Sequence, residues 1–149
     1  MSRPAEMTVE AIAEKTEAVT EFINSTLRSF GCPTSDMRKI DIAVDELFSN
    51  IVYYAYPGES GGFVTVRVER WLDIGMVRIS FMDHGKPFDP LSSEDPDTDL
   101  STEERKEGGL GIYLVKKMMD DVRYCFCNGQ NILTISKKTS FADPGGHLV

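Results

Sequence analysis

The stretch Asp36-Met-Arg-Lys-Ile-Asp-Ile-Ala-Val-Asp-Glu-Leu-Phe-Ser-Asn-Ile-Val-Tyr-Tyr54 carries the strongest structural pattern in the chain. Its large apolar residues recur at spacings of three and four, which predicts an amphipathic helix. They are Met37, Ile40, Val44, Leu47 and Ile51. Glu46 and Asn50 are four positions apart, so they lie one helical turn from each other beside the apolar stripe. Such a carboxylate can accept a proton and such an amide can ligate Mg²⁺, although an ordinary solvated helix face would show the same pair.

A second helical pattern precedes this stretch. Apolar residues at helical spacing predict a helix over Thr8–Phe30, which Gly31 ends and Pro33 prevents from continuing. A third, shorter helix is predicted from Leu110 to Met119. Its inward face is expected to consist of Leu110, Leu114 and Met118.

Alternating apolar and polar residues predict four strands in two hairpins. The predicted strands cover residues 63–71, 76–82, 122–127 and 132–137. Asn128-Gly129 lies between the last two and is a strong signal for a tight hairpin turn. Runs of strands beside helices predict an α+β fold, a two-layer α/β sandwich whose mixed or antiparallel sheet is covered on one face by helices.

Length and composition predict a single soluble domain over residues 1–149, with its core at about 8–138 and a loose tail at 139–149. The three cysteines form no even disulfide set, and no Cys/His cluster has zinc spacing. Without a secretion signal or an apolar run of about 20 residues, we expect a cytoplasmic protein that does not contact a membrane. The net charge of −8 argues against direct binding to nucleic acid.

The segment from Asp89 to Glu107 contains eight acidic residues and only two basic ones, Arg105 and Lys106. Leu91 and Leu100 are its only large apolar residues, so it cannot contribute much to a core. Uninterrupted loops of this length are uncommon in compact domains unless they are functional lids or disordered. We therefore interpret residues 86–107 as a lid.

Two short motifs flank this lid. Asp83 ends a predicted strand and is followed two residues later by Gly85. After the lid, Gly108-Gly-Leu-Gly111 precedes the third helix, where glycines let backbone N–H groups approach a phosphate closely. Each motif alone could equally be a turn or a hinge. Their occurrence in order with Glu46 and Asn50 favours a nucleotide site.

The three motifs resemble the N, G1 and G2 boxes of the GHKL ATPases, which share the Bergerat ATP-binding fold. The resemblance covers residues 8–138 and is greatest to the small anti-sigma-factor serine/threonine protein kinases. It is carried by Ala43-Val-Asp-Glu-Leu-Phe-Ser-Asn50, Phe81-Met-Asp-His-Gly-Lys-Pro-Phe-Asp-Pro90 and Gly108-Gly-Leu-Gly-Ile-Tyr-Leu-Val115. Pro87 stands where the family usually has a second glycine. The family's usual strand before the first helix is either absent or supplied by Pro4 to Val9.

The resemblance implies a role for each matching residue. Asn50 would hold Mg²⁺ against the phosphates of ATP, and Glu46 would be the general base. Asp83 would accept a hydrogen bond from the adenine amino group, and Gly85 would leave room for the base. The stretch comprising Gly108, Gly109, Leu110 and Gly111 would line the phosphates. In the lid, Arg105 and Lys106 would either reach the γ-phosphate or remain solvated.

The resemblance also implies a function, an ATP- and Mg²⁺-dependent protein-serine kinase that acts as an anti-sigma factor in transcription regulation. Its expected partners are a STAS-type anti-anti-sigma protein, a sigma factor and a second copy of the chain in a homodimer. One alternative is a nucleotide-gated module that holds a partner without transferring phosphate. Another is a metal-independent scaffold with a degenerate pocket.

Overall fold

In the computed structural model, which describes residues 4–56, 61–92 and 109–142, five antiparallel strands form one sheet. Along the chain they are β1 (Ala5–Glu10), β2 (Phe63–Trp71), β3 (Met76–Asp83), β4 (Asp121–Cys127) and β5 (Gln130–Lys138). Their order in space is β1, β2, β3, β5 and β4. The strand β3 is therefore central, and the residue at its C-terminal end lies in the interior of the sheet.

Three α-helices are described, α1 (Thr16–Phe30), α2 (Thr34–Asn50) and α3 (Gly109–Met118). One turn of π-helix, Ile51–Ala55, continues α2. Side chains of the helices and of one sheet face form a common core. Its residues at most 1% exposed are Val19, Ile23, Leu27, Ile40, Ala43, Val44, Leu47, Phe48, Val64, Val66, Val68, Val77, Ile79, Phe81, Val115 and Ile135. Each large apolar side chain buried in this way stabilises the fold by about 1.5–3 kcal/mol. The predicted α+β sandwich is confirmed, and its sheet is entirely antiparallel over the described strands.

The predicted start of the first helix was wrong. Residues 5–10 form β1, which pairs with β2 so that Val9 faces Val64, and α1 begins only at Thr16. The apolar residues of this segment also fit an alternation of half-buried and exposed positions, and pairing gives the open edge of β2 its backbone partners. Of the two alternatives for the family's first strand, the one that assigned it to Pro4–Val9 is therefore correct.

The inward face of α3 lies one position further along the chain than predicted, at Val115 and Met119 instead of Leu114 and Met118. Ile112, Val115 and Met119 are buried, whereas Leu114 and Met118 are only half-buried. A helix of 10 residues with apolar side chains at most positions has no single clear stripe, so its rotation depends on packing against α2.

The tail predicted from residue 139 was wrong for its first residues. Phe141 is only 2% exposed, and the backbone N–H of Ala142 donates to the carbonyl oxygen of Gly31 at 2.9 Å. Gly31 ends α1 in the left-handed region with a φ of 81°, as its sequence position predicted. A Cβ atom there would lie 2.0 Å from the carbonyl oxygen of Ala142, so only glycine allows this contact.

The hairpin between β4 and β5 has the turn that its sequence predicted. Asn128 and Gly129 have φ values of 53° and 77°, the two positive angles of a type I′ turn. The register of β5 on β3 then places Asn131 directly opposite Asp83. In the described part of the chain, no helix has the length and apolar character needed to span a bilayer.

Candidate active site

The last two turns of α2 present Glu46 and Asn50 beside the apolar stripe, as the sequence predicted. Glu46 is half-buried and Asn50 is 9% exposed. Neither side chain makes a hydrogen bond or an ion pair with any residue that the structure describes. Asn50 lines a cavity between α2 and the sheet. Because no described residue bonds to it and it lines this cavity, the amide of Asn50 is available to a ligand.

Glu46 also contacts the first turn of α3. A Cβ atom built on Gly111 would lie 2.0 Å from Oε2 of Glu46 and 2.7 Å from its Cδ. The carboxylate therefore occupies the space that any side chain at position 111 would need. The N-terminus of a helix attracts negative charge through its free N–H groups, so this turn combines a candidate base with a candidate anion site.

Asp83 lies at the end of β3 and is only 3% exposed. Its Oδ1 accepts hydrogen bonds from the backbone N–H of Gly85 and from Nδ2 of Asn131, both at 2.9 Å. Its Oδ2 has no hydrogen-bond partner among the described residues. The buried carboxylate lines the same cavity as Asn50.

Gly85 packs against the π-helical turn that ends α2. A Cβ atom at this position would lie 2.2 Å from the carbonyl oxygen of Ala55, which also accepts the backbone N–H of Lys86 at 2.7 Å. The nearest neighbours of Gly85 are therefore backbone atoms of α2's extension. Glycine allows the turn after Asp83 to approach this close.

Asn131 connects Asp83 with the turn that follows it, and it was not predicted from the sequence. Nδ2 also donates to the carbonyl oxygen of Lys86 at 2.9 Å. Oδ1 accepts from the backbone N–H of Phe88 at 3.2 Å and from the hydroxyl of Tyr124. Burial raises the pKa of Tyr124, so its hydroxyl stays protonated as a donor at neutral pH.

The cavity beside Asp83 is narrow. It has room for about 30 Å³, enough for a water molecule, whereas ligand pockets usually measure about 300–1,000 Å³. Its wall is mostly apolar and includes Phe88 and Pro90 from the segment after Gly85. The ring of Phe88 stacks on Tyr54 with centroids 4.6 Å apart. A ligand larger than a water molecule therefore needs a wider cavity, and Phe88 and Pro90 form the part of its wall that belongs to the predicted lid.

The structure therefore brings together, along the C-terminal part of α2, five of the predicted site residues: Glu46, Gly111, Asn50, Asp83 and Gly85. Gly109 and Leu110 begin α3, but the burial of both residues and the side chain of Leu110 lie outside the described part. Gly108, Arg105 and Lys106, together with most of the predicted lid, also lie outside the described residues.

Three residues at the site were missed by sequence reasoning: Asn131, Tyr124 and Phe88. The Asn128-Gly129 turn could have predicted which residues of β4 and β5 face each other, because a two-residue hairpin fixes the register between its two strands. It could not locate Asn131 beside Asp83, since that contact also needs the register between β3 and β5.

Gly85→Ala is expected to lower the free energy of unfolding by about 1–3 kcal/mol, because the new Cβ meets the backbone of Ala55 and forces the turn outward. Chemical denaturation with urea would measure the change through its midpoint. A midpoint equal to that of the wild type would mean that the turn can leave Ala55 without loss of stability.

Sequence comparison relates this chain to a family of ATPases. A profile of the histidine kinase-like ATPase domain matches residues 9–137. The chain is 33% identical over 98 residues to the serine-protein kinase RsbW of Listeria monocytogenes, across 63% of this chain and 61% of that protein. It is 32% identical over 126 residues to the serine-protein kinase RsbW of Halalkalibacterium halodurans, across 78% of this chain and 72% of that protein. The matched region therefore spans less than two thirds of the Listeria protein.

Solved structures with the same fold include the RsbU and RsbW domains of Rv1364c from Mycobacterium tuberculosis. That match has a TM-score of 0.66 at 20% identity and covers 93% of this chain and 33% of the other. The mycobacterial sensor histidine kinase MprB matches with a TM-score of 0.53 at 15% identity, over 91% of this chain and 98% of the other. At these identities the likeness concerns the fold alone.

Proposed function

The chain belongs to the histidine kinase-like ATPase family, in the group of RsbW-type serine-protein kinases, and from this premise we propose that it transfers the γ-phosphate of ATP to a serine of a protein partner. We further propose that the partner is a STAS-type anti-anti-sigma protein and that the chain sequesters a sigma factor as a homodimer. The resemblance of its three motifs to those of anti-sigma-factor kinases supports these partners.

The observation that carries the proposal is the contact between Glu46 and Gly111. It holds a carboxylate that has no hydrogen-bond partner among the described residues at the first turn of α3, where a bound phosphate would find free N–H groups. Asn50 lies one turn further along α2. A carboxylate in that place interacts favourably with the helix N-terminus but opposes phosphate binding, which suits a proton acceptor beside the phosphates better than a phosphate ligand.

The residues of the cavity fit an adenine nucleotide in chemistry. Asp83 presents a buried acceptor among apolar walls, which suits an exocyclic amine on a flat ring. The amide of Asn50, which has no partner among the described residues, suits Mg²⁺, which prefers oxygen ligands and retains several waters. Bound Mg²⁺ would supply positive charge to the phosphate oxygens. The volume fits a nucleotide only when the cavity widens.

In this mechanism the protein's own groups orient the reactants and move one proton. Asp83 orients the adenine ring of ATP, and the N–H groups of α3 hold the phosphates at the N-terminus of the helix. Glu46, a carboxylate with no competing hydrogen bond among the described residues, accepts the proton of the substrate serine. The serine oxygen bonds to the γ-phosphorus while the bond from that phosphorus to the bridging oxygen breaks, and ADP leaves. Asn50 would hold Mg²⁺ when the ion is bound. This short list agrees with a reaction in which the protein mainly positions groups and stabilises charge.

A second candidate is a nucleotide-gated module that holds its partner without phosphotransfer. The narrow cavity favours it, because a nucleotide that widens the cavity at Phe88 and Pro90 would move the segment at residues 88–92. Such a movement could control partner binding by itself. The two candidates agree on nucleotide binding and differ in the role of Glu46.

One experiment separates the candidates. The full chain is titrated with Mg·ATP by calorimetry and then incubated with γ-labelled ATP and STAS-domain proteins from the same genome. Nucleotide binding with label on a partner serine supports the kinase. Binding without label on any of them supports the gated module, and absence of binding excludes both.

A further inference from the structure

The side-chain amide of Asn131 is held in one orientation. Its Nδ2 donates to Oδ1 of Asp83 and to the carbonyl oxygen of Lys86, while its Oδ1 accepts from Phe88 and Tyr124. A flipped amide would place its NH₂ group against the N–H of Phe88, which can only donate. Asn131 is 5% exposed, so water cannot replace the lost bonds.

This orientation determines how Asp83 meets a ligand. Asn131 and the N–H of Gly85 both donate to Oδ1, which leaves Oδ2 as the oxygen without a partner among the described residues. Both oxygens of a carboxylate accept hydrogen bonds, so the two donors on Oδ1 fix the direction in which the acceptor Oδ2 is held at the cavity. A purine with an amino group at position 6 can donate to it, whereas a purine with a carbonyl group there is repelled.

We propose that Asn131 is a positioning residue that sets the nucleobase preference of the site, because its hydrogen bond to Oδ1 fixes the orientation of the Asp83 carboxylate and so aims Oδ2 at the base. This inference rests on the proposed binding of nucleotides. It assigns to Asn131 a role in selectivity, beyond its contribution to holding the turn at Gly85 and Lys86.

The test measures the affinities of the full chain for ATP and for inosine triphosphate, which carries a carbonyl at position 6. Competition against a fluorescent ATP analogue, with Mg²⁺ present, gives both values. The wild type is expected to prefer ATP by about 10- to 100-fold, the range for a hydrogen bond to a charged group. Asn131→Asp should reduce this preference several-fold, because an aspartate has no N–H to donate to Oδ1, so the Asp83 carboxylate is no longer held with Oδ2 towards the amino group. The control Gln130→Glu adds the same charge at the neighbouring position and should keep the preference.

Asp83→Asn tests the same idea with Asn131 intact, in case Asn131→Asp does not fold. Asn131 and Gly85 should hold the oxygen of the new amide inward, so its NH₂ group faces the cavity and inosine triphosphate becomes the preferred ligand. Adding Asn131→Leu removes one of the two orienting donors, and the inverted preference should fall towards equality. If Asn131 had a purely structural role, its substitution would lower the affinities for both nucleotides alike and leave their ratio unchanged.

The outcomes separate this inference from the proposed function. If the wild type binds neither nucleotide, the proposed function is wrong, and so is this inference, which depends on it. If the wild type prefers ATP and every folded variant at position 131 keeps its parent's preference, only the inference is overturned. A smaller preference in Asn131→Asp, or a smaller inversion in the double variant, supports it.

Discussion

Replacing Glu46 by glutamine is expected to lower the rate of phosphotransfer by about 10²–10⁴-fold, the usual contribution of a general base. Glutamine keeps the shape of the side chain but has no proton-accepting carboxylate. The affinity for Mg·ATP should stay equal or increase, because the substitution removes the repulsion between the Glu46 carboxylate and the negatively charged phosphates. Transfer of label from γ-labelled ATP to the partner measures the first quantity, and calorimetric titration measures the second.

Asp45→Asn is the matched control for this variant. Asp45 is the preceding residue of α2, is exposed, and loses the same charge on substitution. It should transfer phosphate at nearly the wild-type rate. Full activity in Glu46→Gln would contradict the assignment of the base, and equal losses in both variants would indicate an effect of net charge on partner binding.

Gly111→Ala is expected to lower phosphotransfer by about 10²-fold, since displacement of a catalytic group by 1 Å can have this effect. The new Cβ would lie 2.0 Å from Oε2 of Glu46, so the flexible carboxylate must rotate away. The fold should not suffer, because alanine favours a helix over glycine by about 1 kcal/mol. Thermal unfolding of Gly111→Ala should therefore occur at the wild-type temperature or above it, while its rate of phosphotransfer to the partner falls.

A double-mutant cycle provides the control. In a Glu46→Ala background there is no carboxylate to displace, so adding Gly111→Ala should cause little further loss of phosphotransfer. Losses that multiply in the double variant would mean that Gly111 acts independently of Glu46. A large fall in thermal stability in Gly111→Ala would mean that α3 itself cannot accept the methyl group.

The parts of the site that could be predicted are those set by local geometry. Helical spacing alone places Glu46 and Asn50 one turn apart, and α2 holds them there. Asp83 follows an alternating strand whose core face is evident from its valine, isoleucine and phenylalanine residues. In each case the residues that determine the geometry are within a few positions of the functional side chain.

The parts that could not be predicted depend on distant pairing. Asn131 meets Asp83 across 48 positions of sequence, through a register that no local pattern specifies. β1 was misread because its apolar residues satisfy helical and strand periodicity alike, and only its pairing with β2 decides between them. Phe141 follows the polar residues Thr139 and Ser140, and its burial depends on the end of α1 rather than on its sequence neighbours.

The pairing of Asp83 with Asn131 also has a consequence for the order of folding. The hairpins β2–β3 and β4–β5 are local in sequence and can form quickly, whereas β3 joins β5 only after the intervening segment has been closed as a loop. During synthesis, a nascent chain that ends before β5 therefore has α2, Asp83 and the N–H of Gly85, but lacks Asn131 as the second donor to the carboxylate. Under the proposed role of Asn131, we expect nucleotide selection to arise with the last strand, so that selective binding reports a completed sheet.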